Sequence, residues 1–177
     1  YGGSFELYNS IAYSNNPNTF FELSNQVTAI PKIYHFTYSN NSGNFYNAGN
    51  SGNAVPIPEF RNCIIWGSTN PLISGVISLE NSIIKGGFAG TTTNLDISPS
   101  FVDSANNNFQ LKNSTRAIGI GLSTLGITRD FNDSLRPNPA GSSPDLGAFE
   151  SAYDHPSPIV VADSSQNGII SFGWTQT

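Results

Sequence analysis

The sequence predicts an all-β fold: a right-handed parallel β-helix closed by a C-terminal cap. Two observations lead to this prediction. One short phrase recurs along the chain, and the apolar runs are short and bounded by Asn, Gly, Ser and Pro, which is typical of strands between turns. Asn, Gly, Pro and β-branched residues also disfavour helix, and the apolar residues show no sustained helical spacing.

The three copies of the recurring phrase are LYNSIAYSN at 7–15, FRNCIIWGS at 60–68 and LENSIIKGG at 79–87. The second and third copies begin 19 residues apart, which is about one turn of a β-solenoid. A single coil cannot bury its own apolar face, whereas stacked coils cover one another, so every level must repeat the phrase. We therefore expect Phe60, Ile64, Leu79 and Ile83, which share one alternation parity, to point into the solenoid.

Two further positions of the phrase have structural explanations. Asn9, Asn62 and Asn81 occupy its third position, where stacked amides can hydrogen-bond along the coil axis as a ladder; the alternative is a plain turn residue. Cys63 stands where the other copies have Ser, and we interpret it as a small buried residue rather than a reactive thiol.

Weaker echoes of the phrase predict the remaining coils. The run at 33–41 echoes the run at 11–16 with an offset of 25 residues, and the run at 64–69 follows 28 residues later. The segment 39–59 is rich in Gly, Asn and Ser and contains two prolines, so it predicts a loop inserted between coils.

The chain thus divides into three predicted parts. We expect coils over 1–121, a capping segment over 122–151, and a linker or the start of a following module over 152–177. The first residues already lie inside the repeated pattern, which suggests a segment of a longer protein.

Composition argues against several classes of partner. Charged residues are 11% of the chain, the formal net charge is -5, and the seven basic residues are scattered rather than clustered. Binding to nucleic acid or to anionic lipid needs clustered cations, so we expect no nucleic-acid partner. No apolar run is long enough to cross a membrane, and we expect no membrane span in this segment.

The stretch 60–151 resembles a known family. FRNCIIWGS, ENSIIKGGFAG, LDISPSFVD, NNFQLKNSTRAIGIG and TRDFNDSLRPNPAGSSPDLGAFES look like the C-terminal end of pectin-lyase-like parallel β-helix surface proteins of the "choice-of-anchor" type, many from Bacteroidetes-type bacteria. The resemblance implies a cell-surface or extracellular location and export by a type IX system. Two departures stand out: Ser98 replaces the family's Asp before Pro, and Gly119 lies where the family has an acidic residue.

The closing motif of that resemblance predicts a charged cap. Asp130, Arg136, Asp145 and Glu150 carry most of its charge. An open solenoid end exposes unpaired strand edges, so a terminal segment is expected to cover it, fixed by a pair between Arg136 and a carboxylate.

The sequence contains no convincing catalytic constellation, so we expect no catalytic residue, metal site or cofactor here. The acids of the coils lie far apart in sequence, and the spacing needed for a Cys/His metal site does not occur. Glu59, Glu80 and His35 are the nearest candidates. Glu80 is interpreted instead as a surface partner of Arg61 on the neighbouring coil, and His35 as a surface or partly buried strand residue.

Aromatic side chains are the best candidates for a binding site, because Tyr and Trp faces stack on sugar rings. We single out Trp66, Tyr13 and Tyr38, with core packing as the alternative. The repeat matches Trp66 with Lys85 and Tyr13; strict alternation from Ile64 would turn the indole inward, but a Lys at the matched place indicates that it points out.

Two tripeptides, at Ser104 and Ser134, resemble O-glycosylation sites of Bacteroidetes-type bacteria. Taken together, these features predict a non-catalytic, adhesin-like protein of the bacterial surface that binds polysaccharide or a surface or secretion partner. Two alternatives stay open: the capped end of a polysaccharide lyase or hydrolase whose active site lies upstream, and a structural spacer.

Overall fold

The computed structural model describes residues 5–14, 19–23, 28–48, 56–67 and 73–153. Their fold is an all-β parallel β-helix, as predicted. The predicted linker or module over 152–177 lies outside the described residues apart from its first two positions. In the described part of the chain, no helix has the length and apolarity needed to cross a membrane.

Each full coil contains three short strands separated by corners. Coil 1 has β1 (Glu6–Tyr8), β2 (Ile11–Tyr13) and β3 (Thr19–Glu22); coil 2 has β4 (Lys32–Tyr34), β5 (Thr37–Ser39) and β6 (Asn44–Asn47); coil 3 has β7 (Glu59–Arg61), β8 (Ile64–Trp66) and β9 (Ile73–Ser74); coil 4 has β10 (Ser78–Glu80) and β11 (Ile83–Ile84). Stacking forms three parallel sheets: sheet A from β1, β4, β7 and β10, sheet B from β2, β5, β8 and β11, and sheet C from β3, β6 and β9.

The register of sheet A gives the length of each coil. Leu7 pairs with Ile33, Ile33 with Phe60, and Phe60 with Leu79, so successive coils are 26, 27 and 19 residues long. The 19-residue offset is confirmed, whereas the predicted offsets of 25 and 28 are each wrong by one residue. The predicted loop over 39–59 is also wrong in part, because β6 lies inside it.

The error in register changes which side chains are exposed. Tyr13 pairs with Ser39 and not with Tyr38. Because side chains alternate across a strand, a slip of one residue moves a side chain to the opposite face. Tyr38 is accordingly 0% exposed, and Tyr13 is 41% exposed.

The solenoid interior is mainly aromatic. Phe36, Tyr38, Phe45 and Phe60 are fully buried there, and Phe21 packs edge-on against three of these rings. Phe45 belongs to β6, so burial of its ring explains why a Gly- and Asn-flanked segment still forms a strand.

A left-handed residue occupies the corner between sheets A and B in every coil. Asn9, His35, Asn62 and Asn81 have φ values of 47°, 51°, 55° and 48°. Asn tolerates this conformation better than most residues, which explains the Asn at the third position of the phrase. Because of this corner, the alternation of inward and outward side chains in sheet A does not continue in phase into sheet B.

This change of phase corrects one prediction. Phe60 and Leu79 lie in the solenoid interior as expected, but Ile64 and Ile83 belong to a second apolar cluster. Their neighbours Ile65 and Ile84 take the interior positions instead. Alternation therefore cannot be counted across a corner whose backbone is left-handed.

The second cluster lies between sheet B and the C-terminal segment, residues 98–151. This segment contains an antiparallel hairpin, β12 (Phe101–Asp103) and β13 (Asn108–Leu111), and otherwise lacks long strands. Phe101, Phe109, Ile118 and Leu146 pack with Ile64.

The position of this segment corrects the predicted cap. Asn9 of coil 1 donates to the carbonyl of Arg129, and Asn81 of coil 4 to that of Ile120, so the segment runs along the side of the stack. The edge of the last coil is covered by Asn94 and Leu95, and Leu95 bridges to Ile83. Ile64 and Ile83 on the outer face of sheet B are buried against this segment, and their burial favours the side position.

Candidate functional site

Trp66 lies on the outer face of sheet B beside the C-terminal segment. Since Ile64 faces outward, strict alternation turns Trp66 outward as well, so the expected orientation is confirmed for a different reason. Tyr13, Ser39 and Trp66 form one column across the coils, and Lys85 Nζ lies 5.9 Å from the centre of the indole ring. The indole is half-buried, with its inner part against the second apolar cluster.

A cleft of about 540 Å³ opens beside this indole. One wall is formed by the ends of β5 and β8, and the other by the loop before β12 and the turn after β13. The polar side chains that line it belong to residues that include Asn40, Ser98, Ser100, Lys112 and Ser114. Such a lining combines hydroxyl, amide and ammonium groups with one aromatic face, which suits a polyhydroxylated ligand.

Side-chain and backbone hydrogen bonds hold the walls of the cleft. Asn40, with φ at 55°, donates Nδ2 to the carbonyl of Ser104 at 2.7 Å. The amide of Lys112 donates to the carbonyl of Ser100 at 3.1 Å. Asp103 caps the 3-10 turn Ser104–Asn106 and accepts from the backbone and side-chain nitrogens of Asn106. The cleft is therefore a built feature of the interface between the coils and the C-terminal segment.

The other two predicted binding residues lie elsewhere. Tyr13 packs against Phe109, with ring centres 5.2 Å apart, and keeps an exposed edge outside the cleft. Tyr38 is buried in the solenoid interior, and its hydroxyl donates to the carbonyl of Gly43 at 3.4 Å. Tyr38 therefore has no surface to offer a ligand, and its predicted binding role is corrected.

The corner asparagines do not form the expected amide ladder. Asn62 is fully buried and pairs with the backbone of Leu122, accepting from its amide at 2.8 Å and donating to its carbonyl at 3.0 Å. Asn9 and Asn81 also donate to the C-terminal segment. Between coils 2 and 3 the two corner side chains do contact each other, with Asn62 Nδ2 3.0 Å from His35 Nε2. The asparagines hold the segment to the coils.

His35 is a buried corner residue and not a strand residue. It is 1% exposed, and Arg136 contacts its Nδ1. Burial, and then the charge of Arg136, lower the pKa of His35 well below 6.5, so the ring is neutral. It occupies the position that Asn holds in the other coils, which the repeated phrase did not reveal.

The predicted pair of Arg136 with a carboxylate is confirmed. Arg136 Nη1 lies 3.2 Å from Glu150 Oε2, and both side chains are fully buried. The guanidinium also donates to the carbonyls of Asp145 and Gly147. Burial, and then the charge of Asp145, raise the pKa of Glu150 to about 7, and the guanidinium opposes that shift.

The other two acids of this network satisfy backbone amides. Asp130 accepts from the amides of Asn132, Ser134 and Glu150. Asp145 accepts from the amides of Gly119 and Ser151. Gly119 thus contributes its backbone amide to this network. The four charged residues form a structural centre of the C-terminal segment.

The two acids considered above as catalytic candidates, Glu59 and Glu80, each have a structural partner. Glu59 accepts from the hydroxyl of Tyr34 at 2.9 Å, and burial followed by this bond raises the pKa of Tyr34 to about 12. Glu80 lies 3.4 Å from Arg61, as predicted. Cys63 is fully buried, and burial raises the pKa of its thiol to about 12, in line with a structural role. Among the described residues, no group of three or more His, Cys, Asp or Glu side chains is placed to hold a metal ion.

The two serines in the possible glycosylation motifs differ in surroundings. Ser104 lines the cleft and is partly buried, whereas Ser134 lies exposed on the turn that Asp130 holds. The sequence identified Trp66, but it did not place Lys112, Ser100 and Ser114 beside the indole. These three residues lie more than 30 positions from Trp66 and have no repeat to signal their proximity.

Comparison of the chain with family models, with curated proteins and with solved structures found no match.

Proposed function

We propose that this chain is a non-catalytic module of an extracellular or cell-surface protein that binds a saccharide in the Trp66 cleft. The supporting observation is the cleft itself, in which Trp66 lies beside Ser98, Ser100, Ser114 and Asn40. Saccharide sites combine an aromatic platform with several hydroxyl and amide groups, because a sugar ring has an apolar face and a polar rim.

The wider biological setting rests on the sequence resemblance. We propose membership of the pectin-lyase-like, "choice-of-anchor" type of bacterial surface proteins, with export of the type IX kind. The parallel stacking and the buried network around Arg136, in the segment whose motif carries the resemblance, support this reading. Adhesion to a glycan-bearing surface would be the role of such a module.

A second candidate function is that of a structural spacer. The corner bonds from Asn9, Asn62 and Asn81 favour it, because they tie coils 1, 3 and 4 to the same C-terminal segment. A spacer tolerates replacement of Trp66 without loss of any binding, and a saccharide-binding module does not.

Intrinsic fluorescence tests the proposal directly. The chain has two tryptophans, Trp66 and Trp174, so Trp174→Phe leaves Trp66 as the sole reporter. Titration with a panel of neutral and charged polysaccharides should change its emission for at least one polymer. The same polymer should retard the Trp174→Phe protein in affinity electrophoresis.

Two substitutions provide the contrast. Trp66→Ala should abolish the retardation, and Tyr8→Ala, which removes an exposed aromatic ring from sheet A, should leave it unchanged. Ser114→Trp, at an exposed position of the rim, should obstruct the cleft without disturbing the core. Retardation that survives both cleft variants, or no response to any polymer, would reject a saccharide role for this cleft. The function of a structural spacer would then remain.

A further inference from the structure

Two lysines lie at the Trp66 cleft, although the protein as a whole is acidic. The formal net charge is -5, and the chain has three lysines: Lys32, Lys85 and Lys112. Lys112 lines the cleft. Lys85 Nζ flanks it, 5.9 Å from the Trp66 ring centre and 3.2 Å from the carbonyl of Gly67. Two of the three lysines of an acidic protein therefore converge on one cleft.

Carboxylates near these lysines are engaged in local hydrogen bonds. Asp103 lies within electrostatic range of Lys112, but its two oxygens accept from Asn106. Asp96 accepts from the amide of Gly86, next to Lys85. The described residues that line the cleft include no Asp or Glu. The polar groups facing the cleft are thus hydroxyls, an amide and an ammonium group, and the ammonium charge has no lining carboxylate opposite it.

We infer that the cleft selects a saccharide carrying an anionic substituent, which Lys112 contacts while the sugar ring packs on Trp66. This inference rests on the proposed saccharide function and specifies its ligand. Lys85, with Nζ 5.9 Å from the centre of the indole ring, adds positive potential beside the cleft. A carboxylate and a sulfate ester share the chemistry that this lysine recognises.

Matched polymers test the inference. Each set contains one neutral polysaccharide, its carboxymethylated form and its sulfated form, so the backbone is constant and the charge varies. Affinity electrophoresis with EDTA present excludes bridging by divalent cations. We expect stronger retention by the charged forms, weakening as NaCl rises because exposed ion pairs are screened. The two charged forms compared with each other identify the preferred substituent.

Lysine variants assign the effect to the cleft. Lys112→Gln should weaken binding to the preferred charged polymer by about 5-fold, the effect of one partly exposed charge pair. Lys32→Gln removes the same charge from the outer face of sheet A, where Lys32 pairs with Glu6 at 3.5 Å, and should change nothing. Both lysines are on the surface, so neither variant threatens folding.

The outcomes separate the two proposals. Equal retention on neutral and charged polymers, unchanged by Lys112→Gln but lost in Trp66→Ala, overturns the anionic ligand and leaves the saccharide function intact. Equal losses in Lys112→Gln and Lys32→Gln also overturn it, because the effect then reflects net charge alone. No retention on any polymer overturns both proposals.

Discussion

The coils over residues 5–96 and the C-terminal segment over 98–151 are stabilised in different ways. The coils repeat one solution: an apolar or aromatic residue of each strand stacks on its equivalent, as in Leu7, Ile33, Phe60 and Leu79. The C-terminal segment has no repeat, and one buried charged centre organises it.

The comparison shows where tolerance to substitution should differ. In the coils, many similar apolar contacts share the burial, so each side chain contributes only a small part of the stability. In the C-terminal segment, Arg136 alone joins Glu150, two backbone carbonyls and His35 of coil 2. Loss of that one side chain leaves the buried Glu150 carboxyl without its counter-charge and removes a donor from two buried carbonyls.

Replacement of Arg136 should have the largest effect. We expect Arg136→Ala to lower the free energy of unfolding by about 3–5 kcal/mol, because it strands a buried carboxylate. Urea denaturation followed by circular dichroism measures the change. Arg129→Ala is the control: Arg129 is 53% exposed and pairs with an exposed Asp133 at 3.8 Å.

Arg129→Ala should lower the free energy of unfolding by less than about 0.5 kcal/mol, as is usual for surface ion pairs. Similar values for the two variants would contradict the view that the charged centre organises the segment. A loss in Arg136→Ala confined to the C-terminal segment, with the coils still folded, would instead show that the two regions unfold separately.

The contact between the two regions should give the next largest effect. Gly147 has φ at 81°, and a Cβ there would lie 2.6 Å from Thr37 Oγ1 and 2.8 Å from Ile64 Cδ1. Gly126 has a similar φ of 71° but open space around the position of a Cβ. Both Gly→Ala variants incur left-handed strain, and only Gly147→Ala also collides with sheet B.

We therefore expect Gly147→Ala to be less stable than Gly126→Ala by about 1–3 kcal/mol, the range for overpacking. Parallel urea titrations of the two variants measure this difference. Equal stabilities would mean that the segment moves away from sheet B without cost, and that the second apolar cluster contributes little.

The same contrast explains what the sequence could reveal. Phe60 and Leu79 were predictable because coils 3 and 4 use nearly the same phrase at a constant offset. The predicted register of coil 2 was wrong by one residue, because His35 and Phe36 stand where other coils have Asn and a small residue. The coils still stack with these replacements, because His35 adopts the same left-handed backbone conformation as the corner asparagines.

Contacts of the C-terminal segment were less predictable for a physical reason. Motif and charge identified Arg136 and its pairing with a carboxylate, yet its contact with His35 spans 101 residues. No periodicity indicates such a contact. The cleft shows the same limit, since Trp66 was visible in the repeat and Lys112 was not.

The last predicted effect is a pH dependence that arises where the two regions meet. The pKa of Glu150 is raised to about 7 in the folded protein from 4.5, so the folded state holds its proton more tightly. The stability from this group is complete below pH 4.5 and is lost as the pH rises through 7. His35 acts in the opposite direction: its lowered pKa destabilises the fold as the pH falls below 6.5.

Glu150→Gln separates the two groups, because it removes one titration and leaves His35. Relative to Glu150→Gln, the wild-type protein should lose about 3 kcal/mol of stability between pH 4.5 and 7, and the difference should be constant above that window. Glu80→Gln, at a carboxylate that is 45% exposed, controls for loss of a charge. Urea titrations at half-unit pH steps measure all three proteins. A flat difference across the window would mean that Glu150 stays ionised beside Arg136, so that the ion pair and not the proton stabilises the buried centre.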